Sequence, residues 1–456
     1  MKKFNLLFIV TAILMTGCQN DDLFCDINDI VKWDGTTAEA FDTNVEPFVI
    51  STPAQLKLLS DIVNGIETIQ PSGATDSSSY KLNKCIDLNN LEWTPIGSEE
   101  SPFKGTFDGG DHTIKGMYIN TTEGFQGLFG KIEGGTIKKI NMSDCNITAG
   151  DVVINNNYIG SIVGYNKNGT VEECVFSGTL TNNGNGTGGI VGKSEGSDAR
   201  VAYCYNLGVI VANQGCRVGG IVGYNISGSV ENCSNNATIS GASYYLGGIT
   251  GQNFNGTVKN CSNTGNLSGT YNIGGIAGVN MTGLISNCYN NGNLNGYTDV
   301  MFEESYGAYM GGIAGYNTGT LTNCYNTGSL RTPDKENGNS IGGVVGINDN
   351  GVVSYCYYIF GCAKDGLDGV NEYQNGFGSE SMESTITDID GSTNSFTETQ
   401  GKASHGKTGI KIGSIMHTAN AALVDCLNSW QSVNKTANFG WTLTGSKTGY
   451  PVFAGE

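Results

Sequence analysis

Charge and arginine are scarce in this chain of 456 residues. Only 14% of the residues are charged, and the excess of acidic residues gives a formal net charge of -18 at pH 7. This balance argues against nucleic acid and anionic membrane surfaces as partners, because both would repel the protein. The three arginines, Arg200, Arg217 and Arg331, provide little means of holding phosphates or uronates in a bidentate manner.

The first residues have the pattern of an export signal. An apolar run, Leu6 to Met15, follows two lysines and is too short to span a bilayer stably. The small residues before Cys18 resemble the lipobox of bacterial lipoproteins, in which the cysteine is lipidated and becomes the first residue. The alternative is an ordinary cleaved signal peptide. The lipobox resemblance implies a lipid anchor on Cys18. The acidic pair Asp21-Asp22 that follows resembles the tether that sends lipoproteins of Bacteroides-like bacteria to the outer face of the outer membrane, which implies a surface-exposed protein there.

Glycine, by contrast, is abundant, and it marks an internal repeat. The short block G-[LIV]-x-G recurs with little variation, its last glycine being Gly130, Gly164, Gly192, Gly223, Gly251, Gly278, Gly315 and Gly346. A second block, hydrophobic-x-x-Cys, follows each time and places Cys145, Cys174, Cys204, Cys233, Cys261, Cys288, Cys324 and Cys356 in series. Such a period is typical of a solenoid built from stacked units.

Each unit holds three short apolar segments separated by Gly and Asn, and none is long enough for a helix. Cys233, Asn235 and Ile239 share one face under strand alternation, whereas Val230 has the opposite parity, which predicts a bend between Val230 and Cys233. Three strands and three bends describe one turn of a parallel β-helix. Stacked turns place identical residues about 4.8 Å apart. Asn ladders then bond to one another, whereas ladders of like charge repel, which accounts for the low charge.

These blocks resemble the GLUG motif, named for the glycine-leucine-any-glycine sequence that here reads Gly127-Leu128-Phe129-Gly130. The resemblance implies an all-β fold, a right-handed parallel β-helix of the pectate-lyase-like class. GLUG proteins are mostly bacterial surface proteins, some associated with IgA-specific proteases and adhesins. The motif is specific for architecture rather than for activity.

The chain divides into regions by composition. Thr52 or Ser51 caps a short helix that Pro53 opens and Gly65 ends, and this helix is expected to close the first turn. At the other end, Ala421 to Trp430 carries Leu423, Leu427 and Trp430 at helical spacing, and we expect a small cap of this helix and of final strands at Trp441 and Tyr450–Val452. We predict a signal peptide over 1–17, a tether over 18–45, an N-terminal cap with opening turns over 46–125, a GLUG-repeat β-helix over 126–362, and an irregular C-terminal region with a cap over 363–456.

Two long inserts, 297–309 and 331–339, interrupt the repeat at the same corner of consecutive turns. Long loops on a rigid scaffold often bind ligands, although loops that merely vary are the alternative. The candidate ligand-binding residues are Tyr297, Asp299, Phe302, Glu303, Glu304, Tyr306, Tyr309, Arg331, Asp334 and Lys335. No cofactor or other metal is predicted, except that Asp299, Glu303 and Glu304 are weak candidates for binding Ca²⁺.

Tyrosine follows cysteine at four places and predicts an aromatic stripe. By parity these side chains face outward if the cysteines face inward. Such a stripe could stack on sugars or contact a protein, or it could be a ladder that stabilises the turns. Its members are Tyr205, Tyr289, Tyr325 and Tyr357.

The cysteine ladder itself predicts buried free thiols that act as small apolar fillers. A straight ladder gives parallel side chains, which suit neither a tetrahedral metal site nor a disulfide between neighbours. Cys25 with Cys85, and Cys356 with Cys362, are the disulfide candidates of an exported protein.

The sequence thus predicts a monomeric, non-catalytic surface lipoprotein whose rigid rod serves adhesion or binds host or microbial surface glycans and proteins. A carbohydrate-active hydrolase or lyase with its site at the two inserts is one alternative, and a structural spacer is another. Composition favours binding or spacing over catalysis, because the repeat faces lack the clustered carboxylates that a hydrolase needs.

Overall fold

The computed structural model describes Cys25 and residues 30–42, 46–66, 73–150, 157–182, 184–297, 309–332, 340–359 and 362–365, together with short segments beyond 365. Within these residues the chain is almost entirely β-strand. The strands form a parallel β-solenoid of about nine turns, as the sequence predicts.

Three sheets run along the solenoid, and the chain passes from sheet I to sheet II to sheet III in each turn. Sheet I contains Phe48–Ile50, Ser79–Leu82, Thr106–Asp108, Thr136–Lys138, Thr170–Glu172, Arg200–Ala202, Ser229–Glu231, Thr257–Lys259, Leu284–Ser286, Thr320–Thr322, Val352–Ser354 and Thr385–Thr387. Sheet III contains Phe129–Glu133, Val163–Lys167, Val191–Glu195, Val222–Ile226, Thr250–Phe254, Ala277–Met281, Ala314–Asn317, Val345–Asn348 and Phe377–Glu380.

Sheet II is longer in each turn and is often split by a corner. Its strands are Ile86–Asp87, Thr113–Lys115, Tyr118–Thr121, Asn141–Ala149, Tyr158–Gly160, Val175–Asn182, Gly186–Gly188, Tyr205–Asn206, Val209–Gly219, Ser234–Asn235, Thr238–Gly247, Ser262–Asn263, Leu267–Gly269, Asn272–Gly274, Tyr289–Asn290, Leu294–Gly296, Tyr309–Gly311, Tyr325–Asn326, Leu330–Thr332, Ser340–Gly342, Tyr357–Ile359, Ala363–Asp365, Asn371–Tyr373 and Ser395–Phe396.

Rows of aliphatic side chains fill the interior. In sheet I, from Thr136–Lys138 to Val352–Ser354, the middle residue of each strand is fully buried and lies in register with its neighbours, at Ile137, Val171, Val201, Val230, Val258, Ile285, Leu321 and Val353. Burying one such side chain is worth about 1.5–3 kcal/mol. The core is therefore a set of uncharged rows, which is why repetition and low charge occur together.

The bend between Val230 and Cys233 is present and falls at Asn232. Asn232 has a left-handed φ of 54°, and Asn260 repeats this with 53°. Asparagine tolerates this region better than most residues do. Cys233, Asn235, Ala237 and Ile239 are then buried in alternation, which confirms the predicted parity.

Three asparagine ladders tie successive turns together through side-chain hydrogen bonds. The first lies inside sheet II, with donor–acceptor distances of 2.7–3.1 Å, and comprises Asn206, Asn235, Asn263, Asn290 and Asn326. The second lies inside sheet III, at 2.7–2.9 Å, and comprises Asn225, Asn253, Asn280, Asn317 and Asn348. The third lies at the left-handed bend, at 2.8–3.2 Å, and comprises Asn232, Asn260, Asn287 and Asn323.

The cysteines behave largely as predicted. The ladder cysteines are free and buried. Burial raises the pKa of Cys145 to about 12 and that of Cys204 well above its ordinary value. The disulfide between Cys25 and Cys85 is formed. Cys356 and Cys362 both remain free, so that candidate pair is not bonded.

The N-terminal end is closed by helix α1 (Pro53–Val63). The Thr52 hydroxyl accepts a hydrogen bond from the Gln55 N–H at 3.2 Å, and Gly65 follows with a φ of 72°, as the capping pattern predicts. Leu56 and Leu59 of this helix are fully buried in the core.

The described part of the predicted tether is packed rather than loose. The Trp33 side chain is buried, and the Trp33 backbone N–H donates to the Asp87 carbonyl at 3.0 Å. The Phe41 ring lies 5.5 Å from that of Phe48. The prediction of a tether over 18–45 is therefore wrong for residues 30–42, because their aromatic side chains complete the first turns.

The solenoid also continues beyond residue 362, where an irregular region was predicted. Ala363–Asp365 pairs with Leu330–Thr332, Phe377–Glu380 with Val345–Asn348, and Thr385–Thr387 with Val352–Ser354. The glycine and cysteine markers end before the strand pairing does, since pairing requires only backbone groups in register. Trp441–Thr442 and Val452–Phe453 form the predicted terminal strand pair, and Leu427 and Asn428 are helical.

Candidate functional site

The recurring glycine block forms a tight bend between sheets II and III. A Cβ atom on Gly219 would lie 2.0 Å from the Val222 carbonyl oxygen, and one on Gly223 would lie 2.6 Å from the Gly192 carbonyl oxygen. Both distances are too short for any side chain. The block is therefore glycine because the backbone packs against itself there.

Two rows of outward side chains flank this bend, and we call the groove between them the crease. The sheet II row is Tyr158, Gly186, Arg217, Tyr245, Asn272, Tyr309 and Ser340. The sheet III row is Lys131, Tyr165, Lys193, Tyr224, Gln252, Val279, Tyr316 and Ile347. The rows touch across the bend, since the Tyr158 and Tyr165 ring centroids are 6.2 Å apart. The outer side of the bend is therefore concave.

One end of the crease is an aromatic cluster capped by lysines. The Phe125 ring stacks on Tyr158 at 6.0 Å and lies 5.3 Å from Tyr165. Lys193 Nζ lies 5.2 Å from the Tyr158 centroid and 4.7 Å from that of Tyr165, while Lys131 Nζ lies 5.4 Å from Tyr165. These are cation–π contacts, which favour a cation over an aromatic face.

Carboxylates balance both of these lysines. Lys131 Nζ lies 2.8 Å from Glu99, and Lys193 Nζ lies 2.7 Å from Glu195. The Tyr165 hydroxyl also donates a hydrogen bond to Glu195. Burial, and then this bond, raises the pKa of Tyr165, while hydrogen bonds from Lys193 and Tyr165 outweigh burial and lower the pKa of Glu195. The lysine charges at this end of the crease are therefore neutralised by neighbouring carboxylates of the same chain.

Arg217, in the middle of the crease, has a different environment. Its guanidinium carbon lies 4.5 Å from the Tyr224 ring centroid and 5.9 Å from that of Tyr245. Its Nε donates to Gln252 Oε1 at 2.6 Å. The guanidinium is therefore held by two rings and one amide.

The insert corner adjoins the crease at Tyr309. The strands on either side of the two inserts pair with each other, Leu294 with Leu330 and Tyr309 with Ser340, so both inserts leave the same corner of adjacent turns, as predicted. Tyr297 is 36% exposed and Arg331 is exposed in its strand. The remaining insert candidates, Asp299, Phe302, Glu303, Glu304, Tyr306, Asp334 and Lys335, lie outside the described residues, as does Cys18.

The aromatic stripe predicted after the cysteines is not an exposed surface. Tyr289 is 3% exposed, and Tyr325 and Tyr357 are fully buried; Tyr205 alone is partly exposed. The Tyr289 and Tyr325 rings stack at 5.2 Å, which fits the alternative of a stabilising ladder. Leu427 contacts the adjoining bend, where its carbonyl accepts from Asn323 Nδ2 at 3.3 Å. The prediction of an exposed stripe is wrong for Tyr289, Tyr325 and Tyr357.

Within the described residues, no three His, Cys, Asp or Glu side chains come together as a metal would require. His112 lies near Cys85, and burial lowers its pKa. The described helices include none that is long and apolar enough to cross a membrane.

Sequence reasoning missed most of the crease. Tyr165, Tyr224 and Tyr316 are recognisable in the sequence as a recurrence after the glycine block, but their partners in sheet II are not. The available signal is a spacing of seven residues across the block, which joins Tyr158 to Tyr165, Arg217 to Tyr224 and Tyr309 to Tyr316. On a single continuous strand a spacing of seven residues would not bring two side chains together, so the signal can be interpreted only when the bend is known.

Comparison with known proteins agrees with this architecture. The family model described as the GLUG motif matches residues 155–181, 214–240, 242–268 and 306–331. Halomucin of Haloquadratum walsbyi is 27% identical over 184 residues, which is 37% of this chain and 2% of halomucin. A putative Gly-rich membrane protein of Evansella cellulosilytica is 30% identical over 108 residues, which is 23% of this chain and 12% of that protein.

The chain therefore spans a small part of the length of each of these curated relatives. The matched motifs contain the glycine bends that form the crease, and each crosses from one sheet of the solenoid to the next. This chain is therefore a parallel β-solenoid whose repeat contains four matches to the GLUG motif.

Proposed function

We propose that this protein is a non-catalytic rod on the bacterial surface that binds host or microbial glycans and glycoproteins. The observation that carries this proposal is the crease, where aromatic and cationic side chains of the two rows contact one another, as Tyr158 and Tyr165 do with Lys193 and as Tyr224 and Tyr245 do with Arg217. Aromatic faces stack on sugar rings, and fixed polar groups orient them.

The rigidity of the rod supports a binding role. Rows of buried aliphatic side chains and three asparagine ladders connect successive turns, so a groove on this scaffold is held in shape before a ligand arrives. A preformed site loses less conformational entropy on binding than a flexible one.

A surface location is supported by the relatives. One is named as a membrane protein, and neither is named as an enzyme. Lipid on Cys18 would anchor the rod to the outer membrane. Labelling with a radioactive fatty acid tests this: wild-type protein should carry label and Cys18→Ser should not. A labelled Cys18→Ser variant would refute anchoring through that residue.

A spacer role is the second candidate, and the neutralised end of the crease favours it. Tyr158, Tyr165 and Lys193 contact one another, so this end has the contacts of a stabilising cluster as well as those of a ligand site.

Binding of the chain without residues 1–18 to a glycan array, host mucins and matrix proteins separates the two candidates. We expect a specific hit that weakens when Tyr224 and Tyr245 are both changed to Ala, and that persists in Tyr203→Ala, whose ring lies against Arg200 outside the crease. Loss in EDTA would indicate Ca²⁺ at the insert carboxylates. No hit on any surface would refute the binding role and favour the spacer.

A further inference from the structure

We propose that Arg217 binds the carboxylate of an acidic saccharide in the crease. This inference rests on the binding function proposed above and names its ligand class. It concerns a residue that composition alone gave no reason to single out.

The guanidinium of Arg217 is oriented by three groups. Gln252 Oε1 accepts from Nε at 2.6 Å, and the Gln252 amide is in turn fixed because its Nε2 lies 3.1 Å from Met281 Sδ. The guanidinium carbon lies over the Tyr224 ring, 4.5 Å from its centroid, and 5.9 Å from the centroid of the Tyr245 ring. Little side-chain freedom remains to be lost when a ligand binds.

The two terminal nitrogens of Arg217 have no acceptor among the described residues, and Arg217 forms no ion pair there. Arg200 provides the contrast, because its Nη1 lies 2.8 Å from a Glu172 carboxylate oxygen. The Lys131 and Lys193 ammonium groups in the crease are likewise paired with carboxylates. Arg217 therefore presents an unpaired, pre-oriented fork, and a planar carboxylate is the group that matches such a fork with two parallel hydrogen bonds.

The neighbours of Arg217 favour a saccharide over an acidic peptide. The crease residues beside Arg217 are Tyr224 and Tyr245, which are partly exposed and offer two aromatic faces, each with a phenolic hydroxyl. Sugar rings carry apolar faces and many hydroxyls, so they match both features. An acidic peptide would instead need apolar pockets for its side chains.

The test uses the chain without residues 1–18 and an oligoglucuronate, compared by calorimetry with the same oligomer after its carboxyls are reduced to alcohols. We expect the oligoglucuronate to bind at least about tenfold more tightly, because charge-assisted hydrogen bonds are lost on reduction. Arg217→Lys keeps the charge but not the fork and should weaken binding about tenfold or more. Arg200→Lys is the matched control and should bind as the wild type does.

Gln252→Glu gives a second variant that keeps the size of the side chain. Its carboxylate would pair with Arg217 and compete with the ligand, so we expect weaker binding with an unchanged melting temperature. Circular dichroism and thermal melts establish that each variant is folded.

Equal binding of the reduced oligomer, or unchanged binding by Arg217→Lys, would overturn the assignment. Competition by poly-glutamate at equal affinity would point to an acidic peptide, and an equally tight sulfated oligosaccharide would exclude a carboxylate-specific site. Binding to neutral glycans that survives Arg217→Lys would overturn this inference while leaving the proposed binding function intact, whereas a chain that binds no glycan or host protein at all removes both.

Discussion

The asparagine ladder inside sheet II makes a quantitative prediction at Asn263. The Asn263 side chain is fully buried and makes three hydrogen bonds that alanine cannot make. It accepts from Asn235 Nδ2 at 2.8 Å, and its own Nδ2 donates to Asn290 Oδ1 at 2.7 Å and to the Gly265 carbonyl at 2.9 Å. At about 1 kcal/mol net for each bond, Asn263→Ala should lower the free energy of unfolding by about 3 kcal/mol.

Equilibrium unfolding in guanidinium chloride, followed by far-UV circular dichroism, measures this change. Asn266→Ala is the matched control, because Asn266 is exposed and accepts from the Asn293 N–H at 3.1 Å on the outside of the same strand region. The control should differ from wild type by no more than about 0.5 kcal/mol.

The combination of Asn263→Ala with Asn290→Ala tests whether neighbouring asparagines of the ladder are energetically coupled. The two residues share one hydrogen bond, so the double variant should cost about 1 kcal/mol less than the sum of the single changes. A cost for Asn263→Ala as small as that of the control, or strict additivity in the pair, would refute the view that these asparagines hold the turns together.

Three further predictions concern the thiols, the glycine bend and the disulfide. Burial raises the pKa of the Cys204 thiol, so the stability that this thiol contributes is fully present below the unfolded thiol pKa of about 8.5 and is lost as the pH rises. We expect the unfolding midpoint to decrease as the pH is raised above about 8.5, and to decrease less steeply in Cys204→Ala. A midpoint equally flat in both proteins would contradict this. Gly219→Ala should lower the free energy of unfolding by about 3 kcal/mol or more, because the added Cβ would lie 2.0 Å from a backbone oxygen. Gly134→Ala, at a φ of 73° with open space around it, should lower it by about 1 kcal/mol. Equal losses in the two variants would argue against a tightly packed bend at Gly219. Reduction of Cys25–Cys85, which are 60 residues apart, should lower the stability of the N-terminal turns by about 4 kcal/mol, measured by unfolding with and without dithiothreitol, and an unchanged midpoint would contradict the loop-entropy argument.

Much of the repeat was predictable because its rules are local. The alternation of Cys233, Asn235 and Ile239 indicates which side chains face inward, and opposite parity at Val230 locates the bend that Asn232 makes. The two inserts leave the predicted corner because strand pairing keeps consecutive turns in register.

What could not be predicted depends on contacts between distant segments. Parity correctly separates Tyr325 from Cys324, but whether an outward side chain is exposed depends on what packs against it, and the Tyr325 ring is stacked on Tyr289 of the preceding turn. The crease was missed for a related reason. Arg217 and Tyr224 lie on different strands, and only the inward fold of the glycine bend brings them within 4.5 Å.

Because the ladders are in register, the length of this solenoid is set by its number of turns. From Cys233 to Cys261 one turn returns every ladder residue to an equivalent position, so a whole turn could be removed or duplicated by unequal recombination without leaving an unpaired asparagine or an unmatched aliphatic row. Each turn adds about 4.8 Å of length. The length of such a solenoid would then evolve in steps of one turn, independently of the surface that it presents.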